Sequence, residues 1–346
     1  MEIDKEKALT HLLAPLRDDA KWHWTKETSV ERIENPSTLV FLRDYVAKNR
    51  PVILTSLPDV AKWQAFTNWR TNSGVAACTN GNVRVNVTPS GLGDAVVNTE
   101  ENGEIFIKPY ETQMTLEAFF ASLQTSDDSV AYLSHQNDNL REEFPAMMNE
   151  IGENIKIAHE AFGNDPEAVN IWIGDERSVS SMHKDFYENM YCVVRGEKVF
   201  HLLPPCAQPF LYEKEYQEAH YQYESNKRNW TIEMEDTKVP WSPIDPVQVL
   251  EQREDNKRYP LAAEIRELVM KATVRAGEVL YLPSMWYHRV TQSCLTIAVN
   301  YWHNMDFDLK WVYFSAIERM NVLLNEDQRK EAKEIRQCDS AKEKGV

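Results

Sequence analysis

The sequence predicts a mainly β protein with flanking helices, in which eight strands close into a double-stranded β-helix, or jelly-roll barrel. Short runs of β-branched and aromatic residues recur along the chain, each bounded by Gly or Pro turn signals. Between residues 168 and 302 these runs supply enough strands to close a barrel. A His and an Asp lie two residues apart within the same region, and a barrel mouth is a natural place for a metal and a small ligand.

The predicted barrel strands follow one another along the chain. Ala168–Gly174 is an apolar run that ends at a glycine, and the strand that carries His183 and Asp185 follows it. Residues 189–194 and 198–203 are predicted to form a hairpin, with Gly196 in the turn and two prolines closing the second strand. The remaining strands are predicted at residues 272–277, at residues 278–283, at a short run that opens at His288, and at residues 295–302.

The chain is expected to have three parts. They are residues 1–160, an N-terminal region of helices and strands that packs on the barrel, residues 161–305, the barrel with an insertion at 205–260, and residues 306–346, a C-terminal helical segment. The insertion lacks strong periodicity and has a length that is typical of functional lids. Residues 308–333 carry apolar residues at helical spacing, which favours either packing on the barrel or a homodimer contact.

A candidate metal site begins at His183 and Asp185. Side chains along a strand alternate between faces, so these two point the same way while Lys184 points away. Together with the distant His288 they offer two nitrogens and one oxygen, the 2-His-1-carboxylate set of non-haem Fe(II) oxygenases. This set leaves coordination positions open, which an oxygenase needs because a co-substrate and dioxygen share the ion. The His-x-Asp pattern alone occurs by chance in many long proteins.

The motifs around this pattern resemble the JmjC family of Fe(II)- and 2-oxoglutarate-dependent oxygenases, which have a cupin barrel. They are Ser180-x-x-His183-x-Asp185, Asn189, Gly196-x-Lys198, the Gly-Glu-x-Leu-x-x-Pro run at 277–283, Trp286-x-His288 and Asn300-x-Trp302. Stretches at 43–51, 87–89, 183–189 and 238–246 are similar to the JmjC domain-containing protein 7 group of small lysyl hydroxylases. The likeness runs from about residue 38 to about residue 312.

The resemblance implies that His183, Asp185 and His288 bind Fe(II) and that 2-oxoglutarate chelates the same ion. Lys198 matches the family's lysine for the distal C5 carboxylate, and a compact ammonium suits one end of a small dicarboxylate. The other positions that match co-substrate contacts are Tyr132, Ser180 (where the family usually carries Thr), Asn189, Asn300 and Trp302.

Several of these residues also have a plain structural interpretation. Lys198 also fits a solvated hairpin position, Asn189 a turn, and Trp302 an ordinary core position. The assignment of Tyr132 depends on a short motif far from the triad. The remaining histidines have no partner spacing that indicates a metal, so we expect surface or core roles for His11, His23, His135, His159, His201, His220 and His303.

Composition limits the partners and the compartment. The 346 residues carry a net charge of −16, from 38 basic and 54 acidic residues, which argues against nucleic acid. An acidic surface suits a basic polypeptide segment, although solubility explains most of these carboxylates equally well. The five cysteines form no CxxC pair and indicate a reducing compartment. With no signal peptide or membrane-spanning run evident, we expect a cytoplasmic or nuclear protein without a membrane or nucleic-acid partner.

The resemblance implies a protein hydroxylase that consumes O2 and 2-oxoglutarate, releases succinate and CO2, and modifies C3 of a lysine. The implied substrate is a translation-associated GTPase of the developmentally regulated GTP-binding type. A JmjC demethylase is an alternative with the same iron chemistry, although the chain lacks a Cys/His cluster for a chromatin-reading zinc module. A cupin-like binding scaffold is the alternative outside catalysis, but a scaffold has no need to retain the triad and Lys198 together. The metal site alone does not distinguish hydroxylation from demethylation.

Overall fold

The computed structural model describes residues 5–79, 81–125, 129–224, 229–251 and 258–320, with side chains described from residue 13 onward. The strands in these ranges are β1 (Arg32–Glu34), β2 (Val52–Thr55), β3 (Val83–Thr88), β4 (Leu92–Gly93), β5 (Ala95–Thr99), β6 (Gly103–Lys108), β7 (Tyr110–Met114), β8 (Val130–Tyr132), β9 (Ala168–Gly174), β10 (Val179–Lys184), β11 (Tyr187–Arg195), β12 (Glu197–Leu203), β13 (Lys214–Glu224), β14 (Asn229–Trp241), β15 (Met270–Arg275), β16 (Val279–Leu282), β17 (Tyr287–Gln292) and β18 (Thr296–Asn304).

The helices lie mainly before the barrel and in its insertion. The α-helices are α1 (Lys5–Ala20), α2 (Thr38–Phe41), α3 (Ala65–Asn68), α4 (Asn72–Ala76), α5 (Leu116–Ser122), α6 (Asn139–Glu142), α7 (Pro145–Met148), α8 (Lys156–Phe162) and α9 (Pro246–Glu251). Single π turns follow α1 at Lys21–Thr25 and α2 at Leu42–Val46, and 3₁₀ turns occur at Val60–Lys62, Pro205–Phe210 and Pro260–Glu267. Residues 309–320 are also helical and are called the C-terminal helix below.

The barrel is a jelly roll made of two facing sheets. One sheet has six strands in the order β1-β2-β16-β11-β18-β9, and the other has five in the order β15-β12-β17-β10-β4. Strands β9 to β12 and β15 to β18 are the eight barrel strands, divided equally between the two sheets. The predicted fold class, a double-stranded β-helix with flanking helices, is therefore confirmed.

The predicted hairpin of residues 189–194 and 198–203 is wrong. Strand β11 pairs with β16 and β18, whereas β12 pairs with β15 and β17 in the opposite sheet. Gly196, at φ +83°, turns the chain from one sheet to the other, and a Cβ there would lie 2.4 Å from the Thr296 hydroxyl. A glycine turn between two apolar runs looks alike in sequence whether the runs pair or cross over. Strands β15 and β16, which also follow each other in the sequence, likewise lie in opposite sheets.

The insertion has regular structure that its weak periodicity did not predict. Strands β13 and β14 form a long antiparallel hairpin, and β13 adds in parallel to β6 to give a sheet in the order β14-β13-β6-β5. Most residues of β14 are exposed, so the strand lacks the alternation of apolar and polar residues by which a half-buried strand is recognised.

The N-terminal region shares a hydrophobic core with the barrel. Buried residues from Phe41 to Ala158 and barrel residues from Val169 to Tyr301 belong to one continuous cluster. Residues 83–88 of this region form the partly exposed strand β3, which pairs with β7 and β8.

The C-terminal helix contacts a second cluster through the buried Phe314 and the half-buried Trp311. This contact accounts for residues 309–320, and the rest of the predicted helical segment, residues 321–346, lies outside the described residues. Within the described ranges, no helix is both long and apolar enough to cross a bilayer.

Candidate metal centre

The three candidate metal ligands lie together at one end of the barrel. His183 on β10 stands directly opposite His288 on β17 in the antiparallel register, and their ring centroids are 4.2 Å apart. Asp185 follows the end of β10, and its Oδ2 lies 3.5 Å from Nε2 of His288. One ligand atom from each residue lies within 4.8 Å of the others. Residues more than a hundred positions apart therefore converge because β10 and β17 are neighbours.

Backbone carbonyls orient both imidazole rings. Nδ1 of His183 lies 2.7 Å from the carbonyl oxygen of Ser181, and Nδ1 of His288 lies 3.0 Å from that of Trp286. A ring whose Nδ1 donates to a carbonyl keeps its proton there and presents the lone pair of Nε2, as metal-binding histidines do. Burial, together with the neighbouring His183, lowers the pKa of His288 to about 4. His288 is thus neutral near pH 7, the form that binds a metal.

A bulge in β10 explains how Ser180 and His183 reach the same cavity. In a regular strand these two side chains would point to opposite faces. The register with β17 shifts between them, because Ser180 pairs with Val290 while His183 pairs with His288, which leaves one extra residue on β10. Ser180 and His183 consequently line the same two adjoining cavities.

The inner cavity lies against the candidate ligands and encloses about 20 Å³. Asn189, Asn300 and Trp302 line it, as their predicted roles require. Asn300 donates from Nδ2 to Oδ1 of Asn189 at 3.2 Å and accepts from the Trp172 indole at 2.8 Å. Asn189 lies within β11, so the turn interpretation of this residue is wrong. Trp302 is buried and stacks on Tyr187 with ring centroids 4.9 Å apart, so it is both a core residue and part of the cavity wall.

Lys198 is fully buried on β12, which rules out a solvated position. Strand β17 separates β12 from β10, so Lys198 and His183 are not on adjacent strands. The ammonium donates to Oη of Tyr132 at 3.0 Å and to Oε1 of Gln292, and it makes no salt bridge with any carboxylate of the described residues. Burial lowers the pKa of Lys198 to about 7. A buried ammonium without a counter-charge is costly, which makes this position suited to an anionic ligand.

Tyr132 connects Lys198 to the cavities, although Lys198 itself lines neither. The phenol hydroxyl contacts the Lys198 ammonium, and Nζ also lies 5.0 Å from the ring centroid. Burial raises the pKa of Tyr132 well above its usual range, and a hydrogen bond to Ser180 acts in the opposite direction. Tyr132 therefore stays a neutral phenol that can donate to a carboxylate.

The outer cavity encloses about 330 Å³ and adjoins the inner one. It contains two residues that the sequence analysis did not single out. The Trp241 ring stacks on His183 with centroids 5.6 Å apart and planes 10° from parallel, and its indole donates to the Ser181 hydroxyl at 2.8 Å. Asp94 lines the same cavity. Trp241 falls in the stretch 238–246 used for the family likeness, whereas Asp94 has no signal in the sequence.

The donor set fits a ferrous ion. Two neutral imidazoles and one carboxylate are the ligands of non-haem Fe(II) oxygenases, and the buried cation beyond them fits a carboxylate co-substrate. Among the residues that the structure describes, His183, Asp185 and His288 form the one group with metal-ligand proximity. Six other histidines with described side chains are outside this group, and the His11 side chain lies outside the described residues. His201 and His303 each keep one buried ring nitrogen without a described partner.

Comparison with known proteins places this site in a family. A family model of the cupin-like domain matches residues 37–309. JmjC domain-containing protein E of Dictyostelium discoideum is 38% identical over 314 residues, which is 84% of this chain and 88% of that protein. The human bifunctional peptidase and (3S)-lysyl hydroxylase JMJD7 is 38% identical over 288 residues, 82% of this chain and 87% of its own. The Arabidopsis thaliana lysine-specific demethylase JMJ32 is 37% identical over 304 residues, which is 85% of this chain and 87% of that protein.

These matches agree with the motif likeness and with the barrel. The matched region contains all three candidate ligands and Lys198, and the relatives are aligned over most of their own length. The chain therefore belongs to the cupin-like JmjC family of 2-oxoglutarate-dependent dioxygenases.

Proposed function

We propose that this chain is a protein lysyl hydroxylase that binds Fe(II) through His183, Asp185 and His288, and 2-oxoglutarate through Lys198. The observation that carries the proposal is the buried Lys198 ammonium, which has no carboxylate partner in the described part of the chain and contacts Tyr132, a residue that lines the same cavity as the three ligands. A scaffold gains nothing from an unpaired buried charge, whereas a co-substrate with a distal carboxylate neutralises it.

Iron and 2-oxoglutarate, when bound, would supply the oxidising power to hydroxylate an unactivated carbon with dioxygen, yielding succinate and CO2. The chain's own residues bind and orient the reactants. Lys198 and the Tyr132 hydroxyl would hold the C5 carboxylate, and the Ser180 hydroxyl would support Tyr132. The hydrogen-bonded pair Asn189 and Asn300 would fix the polar wall beside the chelate. The buried aromatic rings around the inner cavity exclude water from the reacting centre.

The names of the relatives support a lysine as the target. The human relative carries (3S)-lysyl hydroxylase in its name, and it matches this chain over most of both lengths. We propose C3 of a lysine as the modified carbon, and a translation-associated GTPase of the developmentally regulated GTP-binding type as the substrate protein. The net charge of −16 on this chain would attract a basic segment of such a protein.

Demethylation is the second candidate, because a relative of nearly equal identity is named a lysine-specific demethylase. The two reactions leave different products. A hydroxylase leaves one oxygen on a side-chain carbon that survives purification, whereas a demethylase forms an unstable hemiaminal that releases formaldehyde.

The deciding experiment incubates the purified enzyme with Fe(II), 2-oxoglutarate and a cell extract under ¹⁸O2. Peptide mass spectrometry should find lysines that have gained one ¹⁸O, and the Asp185→Ala variant should give none. Stoichiometric formaldehyde from methyl-lysine or methyl-arginine peptides, with no labelled lysine, would replace hydroxylation by demethylation.

We also propose that the chain forms a homodimer through its C-terminal helix. Leu309, Val312 and Tyr313 on this helix are each more than half exposed, as is the preceding Phe307, and such a set of exposed apolar residues is typical of an interface. Light scattering should give twice the monomer mass, and Leu309→Glu with Val312→Glu should give the monomer.

A location in the cytoplasm, and also in the nucleus, is proposed from cysteine chemistry. The described cysteines (Cys78, Cys192, Cys206 and Cys294) are all free thiols, which suits a reducing compartment. Cell fractionation with an antibody to the untagged protein would test this location.

A further inference from the structure

The outer cavity has an acidic residue fixed beside the candidate metal ligands. Strand β4 adds in parallel to β10, with Gly93 opposite Ser180, and this pairing sets the next residue, Asp94, alongside Ser181. The Ser181 hydroxyl donates to the backbone carbonyl of Asp94 and in turn accepts from the Trp241 indole. The position of Asp94 relative to His183 is therefore determined by strand pairing and side-chain hydrogen bonds.

The Asp94 carboxylate is half-buried and has no partner of its own. It makes no hydrogen bond or ion pair with a side chain in the described ranges, although it lines the outer cavity. Lys108 is already paired with Glu218 at 2.8 Å and with Glu235 at 2.9 Å, and Lys184, which lines the same cavity, is paired with Glu213 at 2.6 Å. A cation entering the cavity would therefore be attracted to the unpaired Asp94 carboxylate.

Four aromatic residues line the outer cavity among smaller polar ones. They are Phe106, Tyr132, Trp172 and Trp241, and the rings of Phe106 and Trp241 are 4.8 Å apart. Aromatic rings accommodate a methylene chain and also favour a cation near their faces. A volume of about 330 Å³ admits a long side chain. The combination of these rings with the Asp94 carboxylate is complementary to a lysine side chain.

We propose that Asp94 binds the ε-ammonium of the substrate lysine and so selects lysine over uncharged side chains. This inference rests on the proposed function and identifies the residue that binds the charged group of the target lysine. Asp94 lines only the outer cavity, which it shares with the ligands His183 and Asp185, whereas His288 lines only the inner one. A nitrogen bound to Asp94 would be held at the wall of the outer cavity, and a carbon of the stem would face the metal ligands. This arrangement favours oxidation of carbon over oxidation of an N-methyl group.

The test uses two small probes that differ in one charged group, N-acetyl-L-lysine methylamide and N-acetyl-L-norleucine methylamide. The protein is loaded with Mn(II) and 2-oxoglutarate, and binding is measured from the paramagnetic relaxation of the probe protons, without turnover. Wild-type protein should bind the lysine probe at least about tenfold more tightly than the norleucine probe, because only the lysine probe forms a charge-assisted hydrogen bond with Asp94. In Asp94→Asn the two probes should bind equally.

The variants are chosen to keep the fold. Asp94 has φ +50°, a conformation that Asn and Gly adopt readily, so Asp94→Asn and Asp94→Gly both preserve the backbone. Asp19→Asn removes the same charge from an exposed position on α1 and should keep the wild-type preference for lysine. Thermal unfolding of each variant verifies that the protein is folded.

The outcomes separate this inference from the proposed function. An unchanged preference for the lysine probe in both Asp94 variants would overturn the role of Asp94, whether or not lysine hydroxylation is found. A preference that depends on Asp94 in a protein that adds no oxygen to lysine would support the cation site and remove the hydroxylase assignment. Equal binding of both probes by wild-type protein would also overturn the inference.

Discussion

His183 and His288 occupy directly opposed positions on neighbouring antiparallel strands, and their rings lie 4.2 Å apart. This one register pair sets the distance between the two nitrogen donors, and Asp185 completes the group from the end of the same strand. The barrel strands pack through buried apolar residues of the core clusters. We therefore expect a variant that lacks one ligand side chain to keep the fold.

The first prediction is that His183→Ala or Asp185→Ala abolishes Fe(II) binding and 2-oxoglutarate turnover while the barrel stays folded. Two remaining ligands hold Fe(II) poorly, whereas neither side chain contributes to the apolar core. Metal content and circular dichroism measured on the same sample check both parts. The exposed His159 serves as a control, and His159→Ala should retain iron and activity. Full turnover in either ligand variant would refute the metal assignment.

The second prediction concerns the charge at Lys198. Lys198→Ala should raise the 2-oxoglutarate concentration needed for half-maximal turnover by more than about thirtyfold, because truncating one partner of a buried charged pair costs about 2–5 kcal/mol. Lys198→Arg should also fail, since a longer planar guanidinium does not fit where a compact ammonium is buried. Lys271→Ala, at an exposed position on the adjacent β15, is the matched control. An unaltered co-substrate requirement in Lys198→Ala would show that another cation binds the carboxylate.

Sequence patterns predicted the barrel strands from local signals, and they predicted three candidate metal ligands that the fold brings together. Strand alternation and turn residues indicate the strands, and the His-x-Asp spacing puts His183 and Asp185 on one face. Which strands pair is a non-local property, so the sequence did not show that β11 and β12 belong to opposite sheets.

The bulge in β10 and the position of Asp94 also could not be predicted from the sequence. Strand parity places Ser180 and His183 on opposite faces, and only the register with β17 reveals the extra residue that brings them together. Asp94 lies beside Ser181 because β4, a strand of two residues, pairs with β10. A strand this short has no periodicity to detect.

The third prediction tests the phenol of Tyr132. Tyr132→Phe removes the hydroxyl that contacts Lys198 but keeps the ring, whose centroid is 5.0 Å from Nζ. Affinity for 2-oxoglutarate should fall about threefold to tenfold, the effect of one hydrogen bond of about 1 kcal/mol. Calorimetric titration of 2-oxoglutarate into Mn(II)-loaded protein measures this change. Tyr110→Phe, on β7, is expected to have wild-type affinity, and an identical affinity in Tyr132→Phe would contradict the proposed contact.

The fourth prediction concerns a buried carboxylate that supports the loop before His288. Glu188 on β11 accepts from Oη of Tyr281 at 2.7 Å and from the hydroxyl and backbone N–H of Ser284 at 3.0 and 3.3 Å. Glu188→Ala leaves the Tyr281 hydroxyl buried without this acceptor, and the free energy of unfolding should fall by about 3 kcal/mol. Urea denaturation measures the loss. The exposed Glu101→Ala should change it by less than about 0.5 kcal/mol, and an equally small change at Glu188 would contradict the prediction.

The fifth prediction is the pH dependence of co-substrate binding. Burial lowers the pKa of Lys198 to about 7, so above that pH the ligand-free protein carries a neutral amine at this position. A bound carboxylate favours the ammonium, and binding must then take up one proton from solution. The apparent dissociation constant of 2-oxoglutarate should therefore be flat just below pH 7 and rise about tenfold per pH unit above it.

Calorimetry of metal-loaded protein in buffers of different ionisation enthalpy measures both the affinity and the proton uptake. Uptake should approach one proton by about pH 8.5, well above the pKa of about 7 for Lys198. Lys198→Met has no titratable group at this position, so its weaker binding should lose this pH dependence. Tight binding that stays constant up to that pH without proton uptake would mean that Lys198 is already charged before the co-substrate arrives, and that the Tyr132 and Gln292 contacts stabilise the ammonium despite its burial.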